Sequence, residues 1–288
     1  MKDATLAPVL VPMGLAGGQG KTTIGMMVGR IVASYGIPVL LVDADPQASM
    51  TAFLGLRPGA DSPTLLEVIT QQERTVPLQS TIVPVPGEEN LFAIAADDNL
   101  ESANHYLAAS GMSLTVLRNR LYQTKENLPP ERQVAAQFGL IVVDPPPERS
   151  HLALTALGAA SAWVIPAEAN VKGAQSLLRT KDLIEAYRDM VPEAKLLGVV
   201  PFRARWVGRN PTETTRESID VMRQIIGEEL LLPHVLESDV YKRAINKRTL
   251  PAKLGDPELQ YPLMAIIDRL RPQMPQQFQS LLPKPVEP

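Results

Sequence analysis

The chain reads as a doubly wound α/β protein, with a single, mostly parallel sheet and helices on both faces. Strand-length apolar runs alternate with helix-length segments along most of its 288 residues. Strict alternation of that kind buries a parallel sheet between helical layers. Two of the runs, PVLLVD (38–43) and LIVVD (140–144), are apolar throughout until a closing Asp, as strands covered on both faces should be. A glycine-rich turn, GGQG (17–20), separates the first run from the first helical segment.

Taken in order, the strands are expected at Val9–Met13, Pro38–Val42, Leu91–Ala95, Leu140–Val143, Ala162–Ile165, Leu196–Pro201 and Leu230–Val235. Helical spacing of apolar residues marks Lys21–Ser34, Leu114–Gln123, Val171–Tyr187 and Thr212–Ile226. The stretch Arg57–Asn90 is rich in turn residues and has room for one short helix near Leu65–Ile69. There is no internal repeat. Residues 1–270 read as one domain, and 271–288, RPQMPQQFQSLLPKPVEP, as a loose proline-broken tail.

Composition excludes several classes of chemistry. Hydrophobic residues make up 45% of the chain and charged residues 20%, the balance of an ordinary globular protein. With no cysteine there is no disulfide, thiolate-held zinc, iron–sulfur cluster or cysteine nucleophile. A formal net charge of −3 means that nucleic-acid binding requires a local basic patch. LAPVLVPMGLAGG (6–18) has the look of a signal-peptide core, but it runs straight into GQGKTT, as a strand entering a glycine loop does. The tail has no basic amphipathic helix that would lie on a membrane. A cytoplasmic location is expected.

The stretch LAGGQGKTT (15–23) resembles a phosphate-binding loop but misses the pattern G-x-x-x-x-G-K-[ST], having Leu15 where a glycine is required. Its chemistry is nonetheless suited to phosphate. Gly17, Gly18 and Gly20, with Gln19 between them, let backbone N–H groups approach phosphate oxygens, and a helix N-terminus adds favourable partial charge. Lys21 reaches the outer phosphates, Thr22 can ligate Mg2+, and Thr23 follows at the helix start. In an open parallel sheet, ligands sit beyond the carboxyl ends of the strands. VLLVDADPQ (39–47) and LIVVDPPP (140–147) end there in Asp43, Asp45 and Asp144. Three carboxylates converging at that place call for a cation, and nucleotide-bound Mg2+ supplies it.

AGGQGKTT, LLVDADPQ and IVVDPPP resemble, in order, the deviant Walker A, Walker A′ and Walker B motifs of the ParA/MinD ATPases. WVIPAEANVKGAQSL (163–177) and HVLESDVYKRAINKRTLP (234–251) resemble ParA segments less closely. The resemblance implies a P-loop fold, ATP and Mg2+ as ligands, an ATP-dependent sandwich homodimer, and an adaptor protein that stimulates slow hydrolysis. It assigns phosphate binding to Lys21 and metal ligation to Thr22, with Asp43 and Asp144 acting through the ion or its waters. Asp45 takes the role of orienting the attacking water. The family motif opens with a lysine that reaches the partner's nucleotide, and Ala16 stands in its place. A carboxysome-positioning subset, the McdA ATPases, also lacks that lysine, and this chain is similar to it there. Plasmid or chromosome partition is the rival cargo. Lys172, which follows the strand AWVIP by the loop AEAN, is the candidate replacement cation, with Arg149 as runner-up.

Absence of cysteine excludes the iron–sulfur branches of the family, and absence of a membrane-targeting helix excludes the MinD branch. The DNA-riding branch remains, with nucleoid association as its consequence. Between 203 and 253 the chain has ten Lys/Arg against seven Asp/Glu. Its dense parts, FRARWVGR and YKRAINKR, nominate Arg203, Arg205, Lys242, Arg243, Lys247 and Arg248 for non-specific DNA contact. Two other readings stay open: a nucleotide-dependent binding switch with little hydrolysis, and a small-molecule enzyme such as an ATP-dependent carboxylate ligase. His105, His151 and His234 have no metal-ligand spacing. Asp97 and Asp98 read as helix-capping residues, and Trp163 and Trp206 as packing residues, with contact to a nucleotide or DNA left open for Trp206 among its arginines.

Overall fold

In the computed structural model, residues 6–59, 62–123, 128–129 and 132–285 are described. The first half runs β1 (Val9–Pro12), α1 (Lys21–Ser34), β2 (Val39–Asp43), α2 (Ser49–Phe53), α3 (Leu65–Thr70), α4 (Leu78–Thr81), β3 (Val83–Pro84), β4 (Leu91–Ile94), α5 (Ala103–Ser110), α6 (Val116–Leu121) and β5 (Leu140–Asp144). The second half continues with α7 (His151–Ala159), β6 (Ala162–Glu168), α8 (Val171–Tyr187), β7 (Lys195–Phe202), a hairpin of β8 (Trp206–Val207) and β9 (Asn210–Pro211), α9 (Glu213–Ile226), α10 (Asp239–Asn246), α11 (Tyr261–Leu270) and α12 (Gln276–Gln279). The main sheet has the order β3-β4-β2-β5-β1-β6-β7, and only β3 pairs antiparallel.

The strand alternation sorts two cores. Val9, Val11, Leu40, Val42, Ile141, Val143, Trp163 and Ile165 face the layer that includes α3, α5, α6, α7 and α8. Leu10, Val39, Leu41, Leu140, Val142, Ala162 and Val164 face α1, α10 and α11 on the other side. Both sets are apolar because both faces are covered, which is why no polar alternation appears in those runs. β1 lies between β5 and β6, and the chain leaves it for α1 at this central crevice, so the loop 13–20 lies at the carboxyl edge where such sheets bind ligands.

Two expectations are corrected. Leu230–Val235 is not a strand. It runs beside β7, with Leu232 N–H donating to Val199 O and Val235 N–H to Pro201 O, both at 2.8 Å. Pro233 between them has no N–H to continue a ladder, and only isolated parallel bridges form at Leu231 and Leu236. Residues 271–285 of the C-terminal segment are not loose either, and 286–288 lie outside the described residues. Met274 and Leu282 are buried, Phe278 approaches Gly139, and the Arg271 guanidinium donates to Pro283 O at 2.6 Å. Prolines stop a long helix there without preventing packing. The turn-rich stretch 57–90 holds α3 as expected, and also α4 and β3.

Candidate nucleotide site

The glycine loop joins β1 to α1, and two of its residues need backbone conformations that disfavour a side chain. Gly18 has φ of 79° and Gly20 of 97°, in the left-handed region open to glycine. At Gly20 a Cβ would also lie 2.7 Å from the Phe202 ring. This close approach seats the loop against the end of β7. At its other end the loop is tied by the Leu15 N–H, which donates to Thr180 Oγ1 of α8 at 3.1 Å. Lys21, the first residue of α1, is buried with its stem curled back over Gly14. Burial lowers its pKa, while the charges of Asp144 and Asp45 pull it back up.

Thr22 donates through Oγ1 to Asp144 Oδ2 at 2.6 Å, joining the helix start to the end of β5. Asp144 is buried, its other oxygen has no partner, and its pKa is raised to about 7, first by burial and then by Asp43. A hydroxyl and a carboxylate with an unused buried oxygen are hard-oxygen donors. Mg2+ takes one or two such protein ligands, with phosphates and water filling the rest of its octahedron. The donor set therefore fits a nucleotide-bound Mg2+, with Thr22 and Asp144 holding it. Among the described residues no three carboxylates or imidazoles converge closely enough for an all-protein metal cage.

Asp43 departs from its expected place in that convergence. Its Oδ2 accepts from both Thr51 N–H (2.8 Å) and Thr51 Oγ1 (2.7 Å), and its Oδ1 accepts from Asp45 N–H (3.2 Å). Burial still raises its pKa to about 6, because these bonds only partly offset desolvation. Both oxygens thus hold the loop 43–51 in place, and Thr51 Oγ1 extends the tie by accepting from Ala96 N–H at 3.0 Å. Asp45 sits on that loop, half-buried, with Oδ1 accepting from Gln47 N–H at 3.0 Å. Thr51 carries no motif signal, since its role rests on a contact eight residues away in sequence.

Lys172 is the second residue of α8, beyond the carboxyl end of β6; it is exposed and free of any ion pair among the described residues. Arg149 lines a cavity of about 470 Å3 with Leu15, Arg179 and Asp182. Arg179, which no motif singled out, therefore flanks the loop as well.

The six basic residues nominated for DNA do not form one patch. Arg203 lies at the end of β7, over the Phe202 ring and 3.7 Å from Glu168. Arg205 is held by both oxygens of Glu237, at 2.6 and 3.3 Å, and Lys242 pairs with Asp239 at 3.1 Å. Arg243 and Lys247 are exposed on and just after α10. Arg248 points elsewhere: it packs over Gly55 and lines a cavity with Gly36 and Asn90, near the starts of β2 and β4. The charge count along the sequence could not foresee that partition, because each pairing depends on a distant or folded neighbour. Asp97 caps the short 3-10 helix that starts at Asp98 by accepting from Asn99 N–H, and Trp163 is buried. Trp206 is 41% exposed and stacks on His234 at 5.5 Å.

The comparisons with known proteins agree with this geometry. Residues 11–191 match the family model described as an AAA domain. The chain is 39% identical over 257 residues to maintenance of carboxysome distribution protein A from Synechococcus elongatus, covering 89% of this chain and 96% of the relative. It is 29% identical over 255 residues to a probable plasmid-partitioning protein ParA from Thermus thermophilus, covering 84% and 71%. The solved ATP complex of an Asp-to-Ala variant of Cyanothece McdA superposes with a TM-score of 0.84 at 33% identity, over 92% of this chain and 97% of that one. A parallel sheet with its glycine loop at the central crevice, matched across almost the whole length of the McdA relatives, leaves one reading: the chain belongs to the ParA family of P-loop ATPases, and within that family it resembles McdA.

Proposed function

We propose that this protein is an ATP-driven positioning ATPase: it binds Mg2+·ATP in the 17–23 loop, pairs with a second copy, holds non-specific DNA, and moves a cargo as hydrolysis releases it. The observation that carries the reading is the Thr22–Asp144 contact at 2.6 Å beside buried Lys21. It is a charge arrangement with little use except to hold a metal-bound polyphosphate. When bound, Mg2+ neutralises charge on the outer phosphates. The N–H groups of 17–23 cradle the phosphates, Lys21 sets their position, and Asp45 orients the attacking water from the loop that Asp43 and Thr51 hold. Carboxysomes are the favoured cargo, because the chain is 39% identical over 257 residues to a carboxysome distribution protein.

Ala16 removes the loop cation that would act across the dimer. Lys172, exposed at the start of α8, takes its place in this reading. A positive group there offsets charge developing between the β- and γ-phosphates. DNA contact falls to Arg203, Arg205, Lys242, Arg243 and Lys247, with Arg248 set apart by its place over Gly55.

The test is ATP turnover and light scattering of the whole chain, with and without DNA, with no other metabolite added. The reading expects slow turnover, ATP-dependent doubling of mass, and DNA binding that weakens steeply with salt, as phosphate contacts require. Dimerisation and DNA binding without turnover would select the alternative, a binding switch that waits for its adaptor. Absence of both dimer and DNA binding would sink the proposal.

A further inference from the structure

Gln19 sits in the middle of the glycine loop, yet its side chain turns into the protein, toward the end of β6. It is fully buried, and its Oε1 accepts from the Glu168 N–H at the end of β6, at 2.8 Å. Its Nε2 is buried without a partner among the described residues. A polar loop residue that turns inward in this way is costly unless the contact has a use. The residue it grips is where several elements meet. Ala169 N–H donates to Phe202 O at 2.7 Å, and Asn170 N–H to Glu168 O at 2.7 Å. Asn170 then caps α8 by accepting from Gly173 N–H at 2.9 Å. Gly173 is so close to Glu168 that a Cβ there would lie 1.8 Å from the Glu168 carbonyl oxygen. The Glu168 carboxylate faces Arg203 at 3.7 Å.

The loop therefore touches one junction twice, through Gln19 on Glu168 and through Gly20 on Phe202. That junction carries the first turn of α8, with Lys172, and the end of β7, with Arg203. We infer that Gln19 is a positioning residue that couples the phosphate loop to the start of α8, so that closure of the loop on a polyphosphate sets Lys172 for the partner's nucleotide. The unused Nε2 gives the carboxamide a second bond to make when the loop tightens. Gln19 need not touch ATP for this, since its bond is to the backbone of β6. The inference rests on the ATPase reading and deepens it.

The experiment compares Gln19→Met, which keeps the volume and removes both amide functions, with wild type. ATP should still bind through the backbone N–H groups of the loop and Lys21, while ATP-dependent dimerisation and turnover fall on the order of 10²-fold, the size of loss that a small misplacement causes. Hydrogen exchange adds a readout that general destabilisation would not mimic. ATP should slow exchange across 168–172 in wild type and leave it unchanged in Gln19→Met. Gln19→Asn, polar but one methylene too short to reach Glu168, should behave the same way and carries the test if the methionine variant does not fold. A double-mutant cycle with Lys172→Ala should be strongly non-additive, because both changes remove one function. Normal dimerisation and turnover in Gln19→Met, or additive losses in the cycle, would overturn the inference. The ATPase reading fails separately, if wild type itself neither binds ATP nor dimerises.

Discussion

Asp43 and Asp144 are register partners on adjacent parallel strands, side by side at the carboxyl ends of β2 and β5. Both are buried and both have raised pKa values, to about 6 and about 7. Their uses differ. Asp43 accepts from Asp45 and Thr51, whereas Asp144 accepts from Thr22 and keeps a free oxygen. One carboxylate shapes the loop that carries Asp45, and the other ties the start of α1 to the end of β5.

Those shifts predict the pH dependence of stability. A raised carboxyl pKa means that the folded state holds protons which the unfolded state has lost, so stability falls as pH rises through the gap. For Asp43 and Asp144 the window runs from the ordinary carboxyl value of 3.8 to about 7. The nucleotide-free protein should lose melting temperature from this pair between pH 4 and 7, and Asp144→Asn should flatten the slope. The stabilisation conferred by Mg2+·ATP should grow over the upper part of that range, because the ion must displace the Asp144 proton. Scans at four pH values with and without Mg2+·ATP decide it. A nucleotide shift larger at pH 6 than at pH 8 would count against Asp144 as a ligand.

Lys21→Ala should remove productive ATP binding, since the loop loses its fixed cation. At ligand concentrations a hundred times Kd, binding stabilises by about 2.7 kcal/mol, and this variant should lose nearly all of it. Differential scanning fluorimetry measures the loss directly, and an undiminished shift would refute the loop assignment.

Asp45→Ala should bind ATP but hydrolyse it on the order of 10²-fold more slowly, as expected when a water-orienting group is removed. The consequence is a trapped dimer, visible by light scattering. Turnover like wild type, or a monomer in ATP, would show that the role is assigned to the wrong residue.

Lys172→Ala should keep ATP binding and lose the dimer or its turnover. Ala16→Lys in the same chain should restore part of the loss, because it returns a cation to the other end of the same contact. A Lys172→Ala protein with normal dimerisation and ATPase would leave Ala16 uncompensated and favour the slow switch.

Gly20→Ala tests how the loop is seated. A side chain at the Gly20 φ of 97° costs about 1–2 kcal/mol by backbone strain alone. Contact with the Phe202 ring at 2.7 Å adds an overpacking term of about 1–3 kcal/mol. Phe202→Leu in the same background should recover part of the second term and none of the first, as denaturant midpoints would show.

Much of this protein was legible in its sequence, because the signals were local. Apolar runs of four or five residues closing in Asp marked β2 and β5, and the α1 and α8 boundaries matched the 3.6-residue spacing. The glycine loop declared a phosphate site through residues adjacent in the chain. Tertiary structure decided what depends on distant partners. It gave both Asp43 oxygens to donors at 45 and 51, turned Gln19 toward Glu168, paired Arg205 with Glu237, and sent Arg248 toward Gly55. It also denied the segment 230–235 a ladder and packed the proline-rich end against the sheet. The physical reason is the same in each case. Backbone propensity and apolar periodicity are written in neighbouring residues, whereas the partner of a buried polar or charged group is fixed only when the sheet brings remote strand ends together.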